Sequence, residues 1–165
     1  MSNVFNKLTI DLDILAELEE LVSSISNWKD ESDRTFIQHP VPEYIYKKSK
    51  VFSALEPIIV PGHLVILKMH ENSLCYPHTD LYRRSTLNCL LSEEDNSSLL
   101  FFTNKIRHQN FNFEEHVYNK HSLYLLDVSI PHMVINRGKT RYLLSVSLKW
   151  SFKKSKDFLI DQKYL

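Results

Sequence analysis

Glycine is scarce in this sequence of 165 residues, where only Gly62 and Gly138 are present. Average usage would supply about a dozen glycines over the same length. Loops that cradle phosphate groups need clustered glycines, because the backbone must approach the phosphate closely. Neither glycine has a second one beside it, so the sequence excludes a P-loop and a dinucleotide-binding fingerprint.

Cysteine is also scarce, and the formal net charge is zero. Cys75 and Cys89 are the two cysteines, and they form neither a disulfide framework nor a CxxC metal site, so we predict packed, reduced thiols. The 20 Lys+Arg balance the 20 Asp+Glu, which disfavours a protein that coats nucleic-acid phosphates. We therefore interpret the short basic clusters at residues 47–50 and 153–156 as solvated surface, and we predict no nucleic-acid partner.

Long apolar runs are absent too. No run approaches the roughly 18 residues that a membrane span needs, and the N-terminal residues MSNVFNKLTIDLD lack the apolar stretch of a signal peptide. These features predict a cytoplasmic protein with no membrane partner.

Helical spacing in the first third gives way to short strands after Pro57. Apolar residues recur at helical spacing over residues 14–25, and a second, weaker helix is predicted over 43–55. The predicted strands are 63–70, 85–91, 98–103, 122–127, 133–136 and 139–150. We expect a single domain, with a helical support at 1–56, a sandwich or barrel at 57–150 and a C-terminal tail at 151–165 that packs as a short element or stays loose.

Side chains along residues 139–150 alternate between two faces of different polarity. Tyr142, Leu144, Val146 and Leu148 fall on one face of an extended chain and form a uniformly apolar surface. Arg141, Leu143, Ser145 and Ser147 fall on the other. This second face predicts either a polar cavity inside a barrel or an edge strand with Arg141 in solvent.

The segment around His78-Thr79-Asp80 is a candidate metal motif. Residues i and i+2 of an extended chain share a face, so His78 and Asp80 can direct an imidazole nitrogen and a carboxylate oxygen at one ion. Such a pair is part of the two-His, one-carboxylate set used by non-haem Fe(II) oxygenases. Chance alone supplies roughly 0.4 such triplets in a chain of this composition, so the motif needs support from elsewhere.

His132 and Arg141 supply that support. His132 begins an apolar run after a loop and is either a third ligand or a strand-end histidine bonded to backbone. Residues 136–139 predict a hairpin turn, with Gly138 at the position of positive φ. This hairpin would bring the strand of Arg141 beside the strand of His132. There, the guanidinium fork would suit a carboxylate whose other end reaches the metal. The remaining histidines, His116 among them, are interpreted as surface or hydrogen-bonded residues.

Together these residues resemble the HxD…H…R signature of the 2-oxoglutarate- and Fe(II)-dependent oxygenases, with Arg141 nine residues after His132. Residues 77–80 (PHTD), followed by Arg84 and residues 85–91 (STLNCLL), resemble the strand pair that opens the core of that family. Residues 124–136 resemble the strand and loop before its distal histidine. The resemblance spans about residues 63–150. Within that family, the sequence pattern most resembles small hydroxylases akin to the aspartyl/asparaginyl β-hydroxylases and the prolyl hydroxylases.

The resemblance implies a double-stranded β-helix, a jelly roll of eight core strands, with N-terminal helices against the outer face of the larger sheet. It implies that His78, Asp80 and His132 bind Fe(II) and that Arg141 holds the distal carboxylate of 2-oxoglutarate. Asn88 and Ser145 are further candidate cosubstrate contacts. Relatives commonly carry a hydroxyl two residues after the arginine, where this chain has Leu143. The hydroxyl is therefore expected from Ser145 or from another strand, through Tyr124 or Tyr76.

The implied reaction uses dioxygen to hydroxylate a C–H bond of a small-molecule amino acid or a peptidyl residue, with release of succinate and carbon dioxide. Arg83 and Arg84 are either a substrate-facing patch or solvated arginines. Residues 105–120 form either a lid or a plain connecting loop. Two other functions fit the same residues: a jelly-roll binding protein without turnover, and a cupin-type metalloenzyme that does not use 2-oxoglutarate.

Overall fold

The structure is a computed structural model that describes residues 4–28, 35–93, 96–103 and 112–165. The helices within these ranges are α1 (Leu15–Ser24), α2 (Glu43–Tyr46), α3 (Lys50–Leu55) and α4 (Phe152–Asp161). The strands are β1 (Phe5–Lys7), β2 (Phe36–Pro40), β3 (Ile59–Met69), β4 (Ser73–His78), β5 (Ser85–Leu90), β6 (Ser97–Phe102), β7 (Phe113–His116), β8 (Leu123–Asp127), β9 (His132–Asn136) and β10 (Arg141–Leu148). None of the described helices is long and apolar enough to cross a membrane.

Two antiparallel sheets face each other. The larger sheet has six strands in the order β1-β8-β5-β10-β3-β2, and the smaller has four in the order β4-β9-β6-β7. The eight strands from β3 to β10 divide equally between them, while β1 and β2 extend the two ends of the larger sheet. This arrangement confirms the predicted double-stranded β-helix.

Apolar side chains fill two layers, one on each face of the larger sheet. The outer layer joins the sheet to the helices through residues such as Leu18, Phe52, Leu144, Val146 and Leu159. The inner layer lies between the two sheets and includes Met69, Leu99, Phe101, Leu126 and Leu143. The two faces predicted for residues 139–150 are therefore both buried, and the edge-strand interpretation of Arg141 is wrong.

Several predicted elements have different bounds in the structure. The second helix is two short helices, because Ser49 caps a new start by accepting a hydrogen bond from the Phe52 N–H at 3.1 Å. The C-terminal tail packs as α4 through the buried residues Phe152 and Leu159. The short strands β1, β2 and β7 were not predicted as strands. They depend on pairing with distant neighbours more than on local pattern.

The predicted hairpin between His132 and Arg141 is wrong. β9 pairs with β4 and β6, whereas β10 pairs with β3 and β5, so residues 137–140 carry the chain from the smaller sheet to the larger. Gly138 does not adopt a positive φ, and Gly62, at φ +74, is the described glycine that does. The Asn136 side chain shapes this crossing instead. Its Oδ1 accepts from the Gly138 N–H at 3.1 Å, and its Nδ2 donates to the Lys139 carbonyl at 2.9 Å.

Candidate metal centre and adjoining cavity

An irregularity in β4 turns His78 toward the interior. Cys75 pairs with Val134 and His78 pairs with His132, so β4 takes three steps (75 to 78) where β9 takes two (134 to 132). An extra residue of this kind is a β-bulge, and it reverses the alternation of side chains beyond it. His78 therefore faces inward like Cys75, while Tyr76 is 75% exposed.

A cluster of three side chains lies where β4 ends and β9 begins: His78, Asp80 and His132. Their ligand-capable atoms all lie within 4.8 Å of one another. The Asp80 Oδ1 lies 3.6 Å from Nε2 of His78 and 3.9 Å from Nε2 of His132. Both separations exceed hydrogen-bond length. The backbone N–H of Asp80 donates to the Val128 carbonyl at 3.1 Å, which ties the residues after β4 to those after β8.

Both histidines are held in the same tautomer. Nδ1 of His78 donates to the Tyr76 carbonyl at 2.8 Å, and Nδ1 of His132 donates to the Ile130 carbonyl at 2.9 Å. A carbonyl oxygen can only accept, so the proton of the neutral imidazole lies on Nδ1 and leaves the Nε2 lone pair facing Asp80. Burial also lowers the pKa of His132, which favours its neutral, ligating form. Two imidazoles in this tautomer and a carboxylate converge on one point, and this donor set fits a non-haem Fe(II) site.

Arg141 approaches from the opposite sheet, at the start of β10. It is 2% exposed, and its guanidinium carbon lies 4.8 Å from the centre of the Tyr118 ring. The Tyr118 hydroxyl accepts a hydrogen bond from Nδ2 of Asn88 at 3.1 Å. Burial raises the pKa of Tyr118, and the nearby Arg141 charge offsets this only in part. The phenol therefore keeps its proton and has an O–H to donate to an anion.

A cavity of about 210 Å³ joins these groups. Its polar lining comes from both sheets and the loops beside them: Gln38, His78, Asp80, Arg83, Asn88, Tyr118, His132 and Arg141. The rest of the lining is largely aliphatic and includes Leu67, Leu126 and Leu143. A charged guanidinium in such surroundings interacts strongly with a carboxylate, because little water is present to screen the pair.

The other predicted residues take different positions. Asn88 lines the cavity. Ser145 is buried but does not line this cavity, and its hydroxyl accepts from Nη1 of Arg83 at 2.8 Å. Arg83 turns inward to Asp80, so the interpretation of both arginines as solvated is wrong for this residue, whereas Arg84 is exposed.

Tyr118 is a polar cavity residue beside Arg141 that was not predicted from the sequence. The hydroxyl near Arg141 was expected from Ser145, Tyr124 or Tyr76, but Tyr76 is exposed and the Tyr124 hydroxyl accepts from the Asn119 N–H at 3.3 Å. Tyr118 follows the buried His116 by two residues, and this spacing on an extended segment was the signal available. Most of the predicted lid or connecting loop at 105–120 lies outside the described residues, which omit 104–111.

His116 is buried, so the surface alternative predicted for it is wrong. It is 3% exposed, and its ring lies between 4.4 and 4.5 Å from the rings of Phe5, Tyr118 and Tyr124. Its Nε2 has no hydrogen-bond partner within the described ranges. Burial and the Arg141 charge lower the pKa of His116 to about 4, so the ring is neutral at physiological pH.

Comparison with known proteins identifies the fold. No protein-family model and no curated protein sequence matches the chain. A prolyl-4-hydroxylase from Pseudomonas putida matches with a TM-score of 0.62 and 15% identity, over 87% of this chain and 91% of that one. HygX from Streptomyces hygroscopicus, solved with nickel, 2-oxoglutarate and hygromycin B, matches with a TM-score of 0.61 and 9% identity, over 87% and 81%.

A prolyl hydroxylase from Trichoplax adhaerens, in complex with a peptide fragment of the hypoxia inducible factor oxygen degradation domain, gives a TM-score of 0.61. It is 14% identical, and the match covers 94% of this chain and 87% of that one. At these identities the similarity shows a shared fold: this chain has the double-stranded β-helix of the solved 2-oxoglutarate/Fe(II) oxygenases.

Proposed function

We propose that this protein is an Fe(II)- and 2-oxoglutarate-dependent oxygenase that hydroxylates a C–H bond of an amino acid or peptidyl residue. One observation carries the proposal. The buried Arg141 and the His78/Asp80/His132 cluster line the same small cavity from opposite sheets. A metal-binding protein needs only the cluster, whereas a 2-oxo acid with a distal carboxylate needs both ends of the cavity.

His78, Asp80 and His132 would hold the metal through two Nε2 atoms and one carboxylate oxygen. Their tautomers are fixed by backbone carbonyls, so little reorganisation is needed when a divalent ion binds. Iron with 2-oxoglutarate and dioxygen supplies the oxidising chemistry, in which 2-oxoglutarate becomes succinate and carbon dioxide while the substrate C–H becomes C–OH.

Arg141, Tyr118 and Asn88 would orient the cosubstrate. Arg141 offers a fork of N–H donors that suits bidentate pairing with a carboxylate. Tyr118 adds an O–H donor that Asn88 holds in position. The aliphatic side chains around these groups exclude water, which strengthens the charge-assisted hydrogen bonds and fixes the direction of the bound dicarboxylate.

A second, more open cavity of about 440 Å³ is the candidate substrate groove. Asp80 and Arg83 line both cavities, while His63, Val65 and Tyr82 belong to the groove alone. A substrate seated there would lie next to the metal site. One structurally similar protein binds a peptide fragment and another binds hygromycin B. The open groove supports an amino-acid or peptidyl substrate for this protein. Residues 1–165 would act as a single domain. The free thiols of Cys75 and Cys89 agree with a location in the cytoplasm.

The test is succinate release from 2-oxoglutarate by the purified full-length chain, loaded with Fe(II) under anaerobic conditions and then exposed to dioxygen. We expect succinate from the wild type and none from the His78→Ala and Asp80→Ala variants. His39→Ala is the control. His39 lies on β2, its ring is next to that of Trp28, and it does not line the cavity. Wild-type protein that binds neither metal nor 2-oxoglutarate would contradict the proposal.

A further inference from the structure

Arg83 occupies a distinctive position next to the metal cluster. It lines both the small cavity and the substrate groove. Its side chain is 28% exposed, although it lies in the loop between β4 and β5 beside the fully exposed Tyr82. Arg83 therefore lies between the metal cluster and the substrate groove.

The two oxygens of Asp80 have separate partners. Oδ1 faces Nε2 of His78 and of His132, at 3.6 and 3.9 Å. Oδ2 accepts a hydrogen bond from Nε of Arg83. Because Arg83 holds one oxygen, the carboxylate cannot rotate freely, and its other oxygen stays directed at the histidines.

Arg83 is itself anchored to the centre of the larger sheet. Its Nη1 donates to the Ser145 hydroxyl at 2.8 Å. Ser145 is fully buried and lies 3.2 Å from Oγ1 of Thr86, which donates to the Val146 carbonyl at 2.9 Å. This chain of hydrogen bonds connects Asp80, in the loop after β4, to β10 in the opposite sheet.

We propose that Arg83 is a positioning residue that fixes Asp80 as a one-oxygen ligand and thereby raises the affinity of the cluster for a divalent metal. The inference rests on the proposed function, since it assumes that the cluster binds metal. Two effects of Arg83 oppose each other: it orients the carboxylate, and its positive charge repels a cation. Orientation dominates because Arg83 is partly exposed and its charge is screened by water, whereas its hydrogen bond acts directly on the ligand.

The experiment measures the affinity of the full-length chain for Mn(II) alone by calorimetry. We expect Arg83→Met to raise the Kd by 10–100-fold, the usual cost of losing a partner that orients a metal ligand. Arg83→Lys keeps the charge but loses the fork, and its Kd should be intermediate. Arg84→Met is the matched control: it removes the same charge from the exposed neighbour and should change the Kd by less than about twofold.

The outcomes separate this inference from the proposed function. Wild-type protein that binds no Mn(II) would contradict both. Wild-type protein that binds Mn(II), together with an Arg83→Met variant that binds it equally or more tightly, would contradict only the positioning role. Should Arg83→Met fail to fold, Arg83→Lys and Ser145→Ala provide the same test, because each loosens the anchor. Unchanged affinity in both would overturn the inference.

Discussion

The two faces of the larger sheet use the same strands for different purposes, and β10 shows the difference most clearly. On its outer face, Leu144 and Val146 pack against helices in a layer of apolar side chains. On its inner face, Arg141 and Ser145 are equally buried but polar. The outer face stabilises the fold by removing apolar surface from water. The inner face carries groups whose burial is unfavourable unless each finds a partner.

The difference indicates that stability and binding are separable in this fold. Alternation along a strand sends successive side chains to opposite faces. A substitution on β10 should therefore alter one property and leave the other nearly unchanged. Substitutions at Arg141 and Leu144 test that separation.

The largest effect is expected at Arg141. Arg141→Met should weaken binding of 2-oxoglutarate to the Mn(II)-loaded protein by at least about 100-fold, because removing one partner of a buried ion pair costs about 3–5 kcal/mol. The thermal midpoint should change little by comparison. Calorimetric titration and a melting curve measure the two properties. Arg141→Lys, which keeps the charge without the fork, is the control and should recover part of the affinity. Unchanged affinity in Arg141→Met would favour a metalloenzyme that does not use 2-oxoglutarate.

Leu144, on the opposite face, should give the reverse result. Leu144 is fully buried among apolar side chains, so Leu144→Ala should lower the free energy of unfolding by about 2–5 kcal/mol. The affinity of the folded variant for 2-oxoglutarate should stay at the wild-type value. Urea denaturation gives the first quantity and calorimetry the second, with Leu144→Met as a nearly volume-conserving control. A parallel loss of affinity would show that the two faces are not independent.

The smallest effect is a pH dependence that originates in the inner layer. His116 has its pKa lowered to about 4, whereas a histidine in an unfolded chain titrates near 6.5. Between these values the unfolded state binds more protons, so the free energy of unfolding rises with pH. The contribution is complete above about pH 6.5 and is lost as pH falls toward 4. It should amount to about 2 kcal/mol between pH 7 and pH 5.

Urea denaturation at several pH values measures this dependence. His116→Phe keeps an aromatic ring among Phe5, Tyr118 and Tyr124 and removes the titrating group. The variant should show a flatter profile between pH 7 and pH 5 than the wild type. Equal slopes in the two proteins would exclude His116 as the source.

Local pattern carried much of the information about this molecule. Alternation in residues 139–150 assigned Arg141 and Leu144 to the correct faces, and the joint spacing of His78, Asp80 and His132 identified three residues that lie together. Features that depend on distant pairing were not predictable in this way. The chain between His132 and Arg141 crosses from one sheet to the other, although its sequence is typical of a hairpin turn.

Two further differences have the same origin. The bulge in β4 becomes visible only when the register against β9 is known, because a period of two assigns His78 to the wrong side of that strand. Tyr118 meets Arg141 through the packing of one sheet on the other. Sequence alternation can place a residue on a face, but it does not say which side chain lies opposite.

The bulge in β4 also affects how molecules of this protein meet one another. β4 is an edge strand of the smaller sheet, and a regular edge strand is a template for pairing with a strand of another chain. Pro77 has no N–H to donate, and the extra residue interrupts the even spacing of donors and acceptors that such pairing requires. The irregularity that turns His78 inward therefore also protects this edge against aggregation.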